Sequence, residues 1–186
     1  MIDNKENLIA HIAQGKSVKY LHFWGHTPKS KGIDKSCLSQ WFPARFVVDG
    51  NTYLTAEHYM MAQKAKLFND VEMFEAVLAC EQPAEAKKFG RQVKHFDAEV
   101  WNAHCFDLVV AGNVAKFDQN SGLKTFLLNT KERVLVEASP RDRIWGIGMG
   151  INNPEACNPP KWRGRNLLGF ALMMARQQLA ELAQTQ

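Results

Sequence analysis

Residues 55–65 have the sequence TAEHYMMAQKA, which carries a carboxylate and an amine seven positions apart in a segment predicted to be helical. At about 100° per residue, seven steps bring Lys64 back to within about 20° of Glu57, two turns along the helix. Thr55 is a residue type that caps helix N-termini, so the helix is predicted to begin directly after it. Glu57 and Lys64 can therefore face one pocket.

Both residues also have ordinary explanations. A carboxylate in the first turn of a helix is favoured by the helix dipole whatever else it does, and Lys64 could be a solvated surface charge. The pair becomes a candidate site only if other parts of the chain supply matching chemistry.

A second segment, residues 139–150, has the sequence SPRDRIWGIGMG. It puts Asp142 and Trp145 beside glycines at alternate positions, a composition that disfavours helices and interior strands. The segment is predicted to be a loop in which the backbone around Gly146 approaches a ligand.

A third segment, residues 161–166, has the sequence KWRGRN and precedes the last predicted helix. Arg163 and Asn166 are therefore predicted to lie at a helix N-terminus, where free backbone N–H groups and basic side chains together suit a phosphate.

In this order, the segments resemble the YbiA-like or NADAR family of N-glycosidases. The most specific parts of the resemblance are the run Glu-His-Tyr…Gln-Lys, which begins at Glu57, and the pairing of Trp145-Gly146 with the run Asn-Leu-Leu-Gly, which begins at Asn166. The other matching stretches are residues 23–24, 38–42, 46–53 and 112–117.

The resemblance implies an enzyme that hydrolyses an N-glycosidic bond, with a catalytic lysine at Lys64. It also implies a phosphorylated ribosyl substrate. This would be either a ribosylaminouracil phosphate intermediate of riboflavin synthesis or an ADP-ribose group on a guanine base, including ADP-ribosylated nucleic acid. The sequence leaves both open, and it predicts no cofactor and no metal ion.

The chemistry of such a bond gives roles to three residues. Breaking the bond builds positive charge on the anomeric carbon, so Glu57 would stabilise this charge or activate the attacking water. Asp142 could hold ribose hydroxyls or share acid/base work, or it could instead pair with Arg141 or Arg143. The amine of Lys64 could attack an opened sugar aldehyde and form a Schiff base.

Substrate binding is assigned to aromatic and basic side chains. Trp24, Trp41 and Trp145 could stack on a base or cap the ribose, with core packing as the ordinary alternative. Trp24 and Trp145 are favoured because a glycine follows each of them. Lys116 and Arg163 are phosphate candidates, and a solvated surface position explains each equally well.

The predicted fold class is α+β, predominantly helical with a small antiparallel sheet. Strands are predicted at residues 20–24 and 134–138, and a hairpin at 46–54 around an Asp-Gly-Asn turn. Helices dominate from Glu57 onward. Residues 26–39 are polar and aperiodic, which predicts a mobile loop that could cover a site.

The composition fits one globular domain. With 186 residues, of which 46% are hydrophobic, residues 1–186 are predicted to form a single YbiA-like domain with residues 1–18 as a helical appendage. The net charge of +4 suits an anionic ligand but does not by itself indicate nucleic-acid binding. The scattered cysteines predict neither disulfides nor a zinc site. A cytoplasmic protein with no membrane partner is expected, because no apolar leader or membrane-length run occurs.

The alternative function is a non-catalytic module that senses ADP-ribose or a related nucleotide in the same pocket. The predicted pairing of Glu57 with Lys64 argues against it, because binding an anion gains nothing from a buried carboxylate nearby.

Overall fold

The computed structural model describes residues 2–29 and 31–184. Its helices are α1 Lys5–Ala13, α2 Ala56–Leu67, α3 Val71–Ala79, α4 Pro83–Arg91, α5 Ala98–Asp118, α6 Ser121–Leu128 and α7 Leu167–Gln184. Its strands are β1 Tyr20–Phe23, β2 Phe46–Val48, β3 Asn51–Tyr53 and β4 Val134–Glu137. Short 3-10 helices span Lys35–Leu38, Pro154–Cys157 and Pro159–Lys161. The predominantly helical α+β class is confirmed, and none of these helices is long and apolar enough to cross a membrane.

Helix α2 is the central helix of the fold and is buried along most of its length. Thr55 caps it as predicted, because its side chain accepts a hydrogen bond from the His58 backbone N–H at 3.3 Å. It packs against α3, α4 and α5. The close approach of α5 requires Gly112, where a Cβ atom would lie 2.4 Å from the Tyr59 ring. Glu57 therefore lies inside the molecule, on a helix that is packed on three sides.

Two small sheets accompany the helices. β2 and β3 form the predicted antiparallel hairpin, and Asp49 and Gly50 both have positive φ angles, of 50° and 76°, as a type I′ turn requires. β1 and β4 form a separate parallel pair. The sequence predicted both of those strands but not their pairing. Because the two strands are parallel, their carboxyl ends lie side by side. Glu137, the last residue of β4, therefore lies opposite Phe23, the last residue of β1.

Helix α1 packs on the body of the protein. Leu8 is fully buried in the same apolar cluster as Val134 and Phe170. The Lys5 amine donates a hydrogen bond to the Trp162 carbonyl at 2.8 Å. This helix thus covers the side of β4 and α7.

The segment 26–39 is only partly the open loop that was expected. Its second half forms the 3-10 helix Lys35–Leu38, which is capped by Asp34, and Cys37 and Leu38 are fully buried. The apolar side chains of these two residues anchor the segment in the core. Ser30 lies outside the described residues.

Candidate active site

One pocket of about 270 Å³ brings together all three residues predicted to be catalytic. This volume is just below the range of about 300–1,000 Å³ that is usual for ligand pockets. The lining residues are Ser39, Gln40, Trp41, Glu57, Met60, Met61, Lys64, Lys87, Gly90, Arg91, Glu137, Asp142, Trp145 and Leu168.

Glu57 lies in the first turn of α2, lines the pocket and is 6% exposed. Its backbone N–H donates to the Gln40 carbonyl at 3.0 Å, which joins α2 to the segment before β2. Burial raises the pKa of the Glu57 carboxyl to about 7, although the charge of Lys87 and a hydrogen bond from the Trp41 side chain oppose the shift. A pKa near neutral pH suits a general acid or base.

Lys64 lies two turns further along α2, a rise of about 10 Å along the helix axis. Its amine is 4.1 Å from the centre of the Phe96 ring and 5.7 Å from that of Trp101. Burial, and then the charge of Arg91, lower the pKa of the Lys64 amine. Among the described residues no ion pair joins it to Glu57. A partly desolvated amine with a lowered pKa suits a nucleophile.

Asp142 is held in place by the loop that was predicted from its glycines. One carboxylate oxygen accepts hydrogen bonds from the backbone N–H groups of Ile144 and Trp145, both at 2.8 Å. Gly146 makes this turn compact, because a Cβ atom there would lie 3.0 Å from the carbonyl oxygens of both Asp142 and Glu137. Gly146 thus brings the loop against the end of β4.

Glu137 is a pocket residue that sequence reasoning missed. Its N–H donates to the Asn166 side-chain oxygen at 2.9 Å, and its carbonyl accepts from the Ile147 N–H at 3.0 Å. Burial, and then the charge of Asp142, raise the pKa of the Glu137 carboxyl to about 8. The available signal was an acidic residue directly after the apolar run Val134–Val136, at the carboxyl end of a strand, where ligands bind in many α/β folds.

The three predicted tryptophans have different positions. Trp41 and Trp145 line the pocket, and the Trp41 ring also contacts His26, with ring centres 5.8 Å apart. Trp24 is 61% exposed and does not line it. A following glycine thus accompanies a pocket residue at Trp145 but not at Trp24.

Two basic residues of α4, Lys87 and Arg91, also line the pocket and were not predicted. They are four positions apart and so share one face of the helix. Both are exposed at the pocket rim. Nothing in the sequence distinguished them from ordinary surface charges, because only the packing of α4 on α2 turns their face toward Glu57 and Lys64.

Lys116 does not reach the pocket. It is fully buried on α5, and its amine donates to the carbonyls of Cys37 and Ser39 at 2.7 and 2.9 Å. Burial lowers the pKa of this amine to about 7. Lys116 thus fixes the backbone that leads into Gln40 and Trp41, beneath the pocket lining.

Three backbone N–H groups at the N-terminus of α7 are not free, although free groups were expected there. The backbone N–H groups of Asn166, Leu167 and Leu168 donate to the carbonyls of Gly146, Ile144 and Trp145 at 3.1–3.2 Å. That expectation is wrong, because the loop before the helix already occupies these donors.

The two residues assigned to that helix N-terminus also have other positions. Arg163 is exposed and does not line the pocket. Asn166 is fully buried; its side chain accepts from the Glu137 N–H and donates to the Leu135 carbonyl at 2.9 Å. Asn166 therefore holds the end of β4.

No group of three or more His, Cys, Asp or Glu side chains within residues 2–29 and 31–184 is arranged to hold a metal ion.

Known proteins match this chain over most of its length. A family model described as NADAR domain matches residues 22–180. The chain is 41% identical over 169 residues to a protein of Acanthamoeba polyphaga mimivirus named as an N-glycosidase, covering 86% of this chain and 96% of that protein. It is 34% identical over 140 residues to N-glycosidase YbiA of Shigella flexneri, with 75% and 79% covered.

Two further matches extend the comparison. The chain is 33% identical over 146 residues to a riboflavin biosynthesis protein of Vibrio vulnificus, covering 78% of this chain but 36% of that protein. The NMR structure of the E. coli protein YbiA superposes with a TM-score of 0.73 at 27% identity, covering 92% of this chain and 90% of the other. The fold around the pocket is thus similar to that of YbiA.

Proposed function

The chain belongs to the NADAR family, and we propose that it is an N-glycosidase that hydrolyses the bond between a phosphorylated ribosyl group and a nitrogen base. Two relatives are named N-glycosidases and align over most of their own length.

The observation that carries the proposal is that carboxyl groups and cations line one pocket. The carboxyl groups of Glu57, Glu137 and Asp142 come from the start of α2, the end of β4 and the following loop. The amine of Lys64 and the cations of Lys87 and Arg91 come from further along α2 and from α4. A phosphorylated ribose matches this combination, since its hydroxyls suit carboxylates and its phosphate suits basic side chains.

Glu57 suits the breaking of the glycosidic bond. Positive charge develops on the anomeric carbon as the base departs, and a carboxylate in a site largely closed to water stabilises that charge strongly. The same carboxylate can take a proton from the attacking water. Asp142, fixed by two backbone N–H groups, suits the ribose hydroxyls.

Lys64 suits a covalent course of the reaction. If the sugar ring opens, the amine can attack C1′ and displace the nitrogen base, which leaves with the electron pair of its bond to C1′. Water then hydrolyses the resulting Schiff base. The lowered pKa of this amine increases the fraction that is neutral and nucleophilic. The surrounding rings of Phe96 and Trp101 limit its hydration.

The base and the phosphate have suitable partners at the rim. Trp41 and Trp145 offer ring faces to a planar heterocycle, and Lys87 and Arg91 offer donors to a phosphate. A volume of about 270 Å³ suits a ribose with its immediate substituents, so the distal part of a larger ADP-ribosyl substrate would extend beyond the rim.

The test is cleavage of two defined substrates, ribosylaminouracil phosphate and ADP-ribosylated guanosine, with free base quantified by chromatography. Release of base from at least one supports the proposal, and their relative kcat/KM values identify the substrate class. If neither is cleaved while calorimetry detects tight binding of ADP-ribose, the protein is a binding module instead.

A matched pair of variants on α4 tests the position of the phosphate. Lys87→Ala should raise KM for a phosphorylated substrate, because Lys87 lines the pocket, whereas Lys88→Ala should not, because Lys88 is exposed outside it. Loss of one charge-assisted hydrogen bond predicts roughly a tenfold effect or more. Equal effects of the two variants would contradict a phosphate position at this rim.

A further inference from the structure

The carboxyl group of Glu137 has surroundings unlike those of the other two carboxyl groups in the pocket. Glu57 receives a hydrogen bond from Trp41 and lies near the positive charge of Lys87. Asp142 accepts two backbone N–H groups. Among the described residues, none donates a hydrogen bond to the Glu137 carboxyl. Hydrogen bonds and cations favour a carboxylate, and Glu137 is the pocket carboxyl group that receives neither.

The backbone of Glu137 is held on both sides. Asn166 accepts from its N–H and the Ile147 N–H donates to its carbonyl, at 2.9 and 3.0 Å. Because the backbone is fixed and the side chain lines the pocket, the carboxyl position is set by the fold rather than by contacts of the carboxyl itself. No protein donor within residues 2–29 and 31–184 therefore competes with a substrate for the Glu137 carboxyl.

We infer that Glu137 is the general acid that protonates the departing nitrogen, an assignment that rests on the proposed N-glycosidase function. The C1′–N bond breaks with its electron pair going to nitrogen, and nitrogen takes the proton of the Glu137 carboxyl. The hydroxyl of one water molecule ends on C1′, and Glu57 takes up the remaining proton of that water. Exchange with solvent returns one proton from Glu57 and one to Glu137. The balance is the same whether C1′ reacts with water directly or first with the Lys64 amine.

The electrostatic surroundings of Glu137 suit the role of proton donor. Burial, and then the charge of the neighbouring Asp142, raise the pKa of the Glu137 carboxyl. A proton donor is most effective when its pKa lies near the working pH. The other charged groups that line the pocket are Glu57 and Lys64 on α2 and Lys87 and Arg91 on α4.

The experiment is the pH dependence of kcat/KM for whichever of the two substrates the wild-type protein cleaves, measured for four proteins. The wild type should lose activity above about pH 8. Glu137→Gln keeps the shape but cannot donate a proton, so its rate should fall by roughly 10²–10⁴-fold and the alkaline decline should disappear. Glu57→Gln should be slow but keep that decline. Glu75→Gln, on the exposed side of α3, should behave as the wild type.

Glu137→Asp separates a chemical role from a structural one. It retains an acid on a shorter side chain, so it should recover part of the activity together with an alkaline decline, which a packing defect would not produce. Wild-type activity and an unchanged pH profile in Glu137→Gln would overturn this inference alone. Failure of the wild type to cleave either substrate would overturn the proposed function and this inference with it.

Discussion

Replacing Glu57 by Gln should abolish catalysis while making the folded protein more stable above neutral pH. Gln has nearly the same shape and can still accept a hydrogen bond from Trp41, but it carries no charge. Loss of the carboxylate should reduce turnover by about a hundredfold or more, as removal of one stabilising group from a transition state commonly does.

The gain in stability follows from the pKa of Glu57, which burial raises from 4.5 to about 7. Between these two values the folded state keeps a proton that the unfolded chain releases. The free energy of unfolding of the wild type therefore falls as the pH rises through this window. Each unit corresponds to about 1.4 kcal/mol, so the carboxylate destabilises the fold by roughly 2–4 kcal/mol above pH 7. Gln does not titrate and escapes this penalty.

The assay is urea unfolding of wild type and Glu57→Gln at pH 4 and pH 8, with base release measured on the same preparations. The variant should gain about 2–4 kcal/mol relative to the wild type between the two pH values. Glu75→Gln serves as the control, because its exposed carboxyl should give almost no difference. Undiminished base release, or an equal stability difference at both pH values, would refute the reasoning.

Two further predictions concern the lysines. Borohydride added during turnover should trap a mass adduct on Lys64, because it reduces a Schiff base, and Lys64→Arg should give none; a wild type without any adduct would favour direct attack by water. Lys116→Met should lower the free energy of unfolding at pH 7, since the buried carbonyls of Cys37 and Ser39 lose their donor at a cost of roughly 1–3 kcal/mol each. Part of this loss is offset because the variant no longer buries an amine. The pH dependence of unfolding checks the same residue: the pKa of Lys116 is lowered to about 7, so wild-type stability should rise from pH 7 to 10 and the variant should lack this rise.

Local chemistry determined the parts of the fold that the sequence predicted. The cap at Thr55 and the helical spacing of Glu57 and Lys64 depend on neighbouring residues, and both residues do line one pocket. The hairpin follows from the Asp49-Gly50 turn, whose positive φ angles favour these residue types. The loop around Trp145 was predicted because alternate glycines disfavour regular structure.

Only the tertiary structure decided which charges face the pocket. Lys87 and Arg91 line it, and Lys116 is buried away from it, although all three are basic residues on helices. Glu137 enters it because a parallel pairing of distant strands ends there. Burial and the direction of a helix face depend on contacts between residues far apart in the chain. A local pattern of residues does not predict those contacts. The sequence by itself therefore determines which functional groups the protein has, and the packing of its helices and strands determines which of them face the pocket.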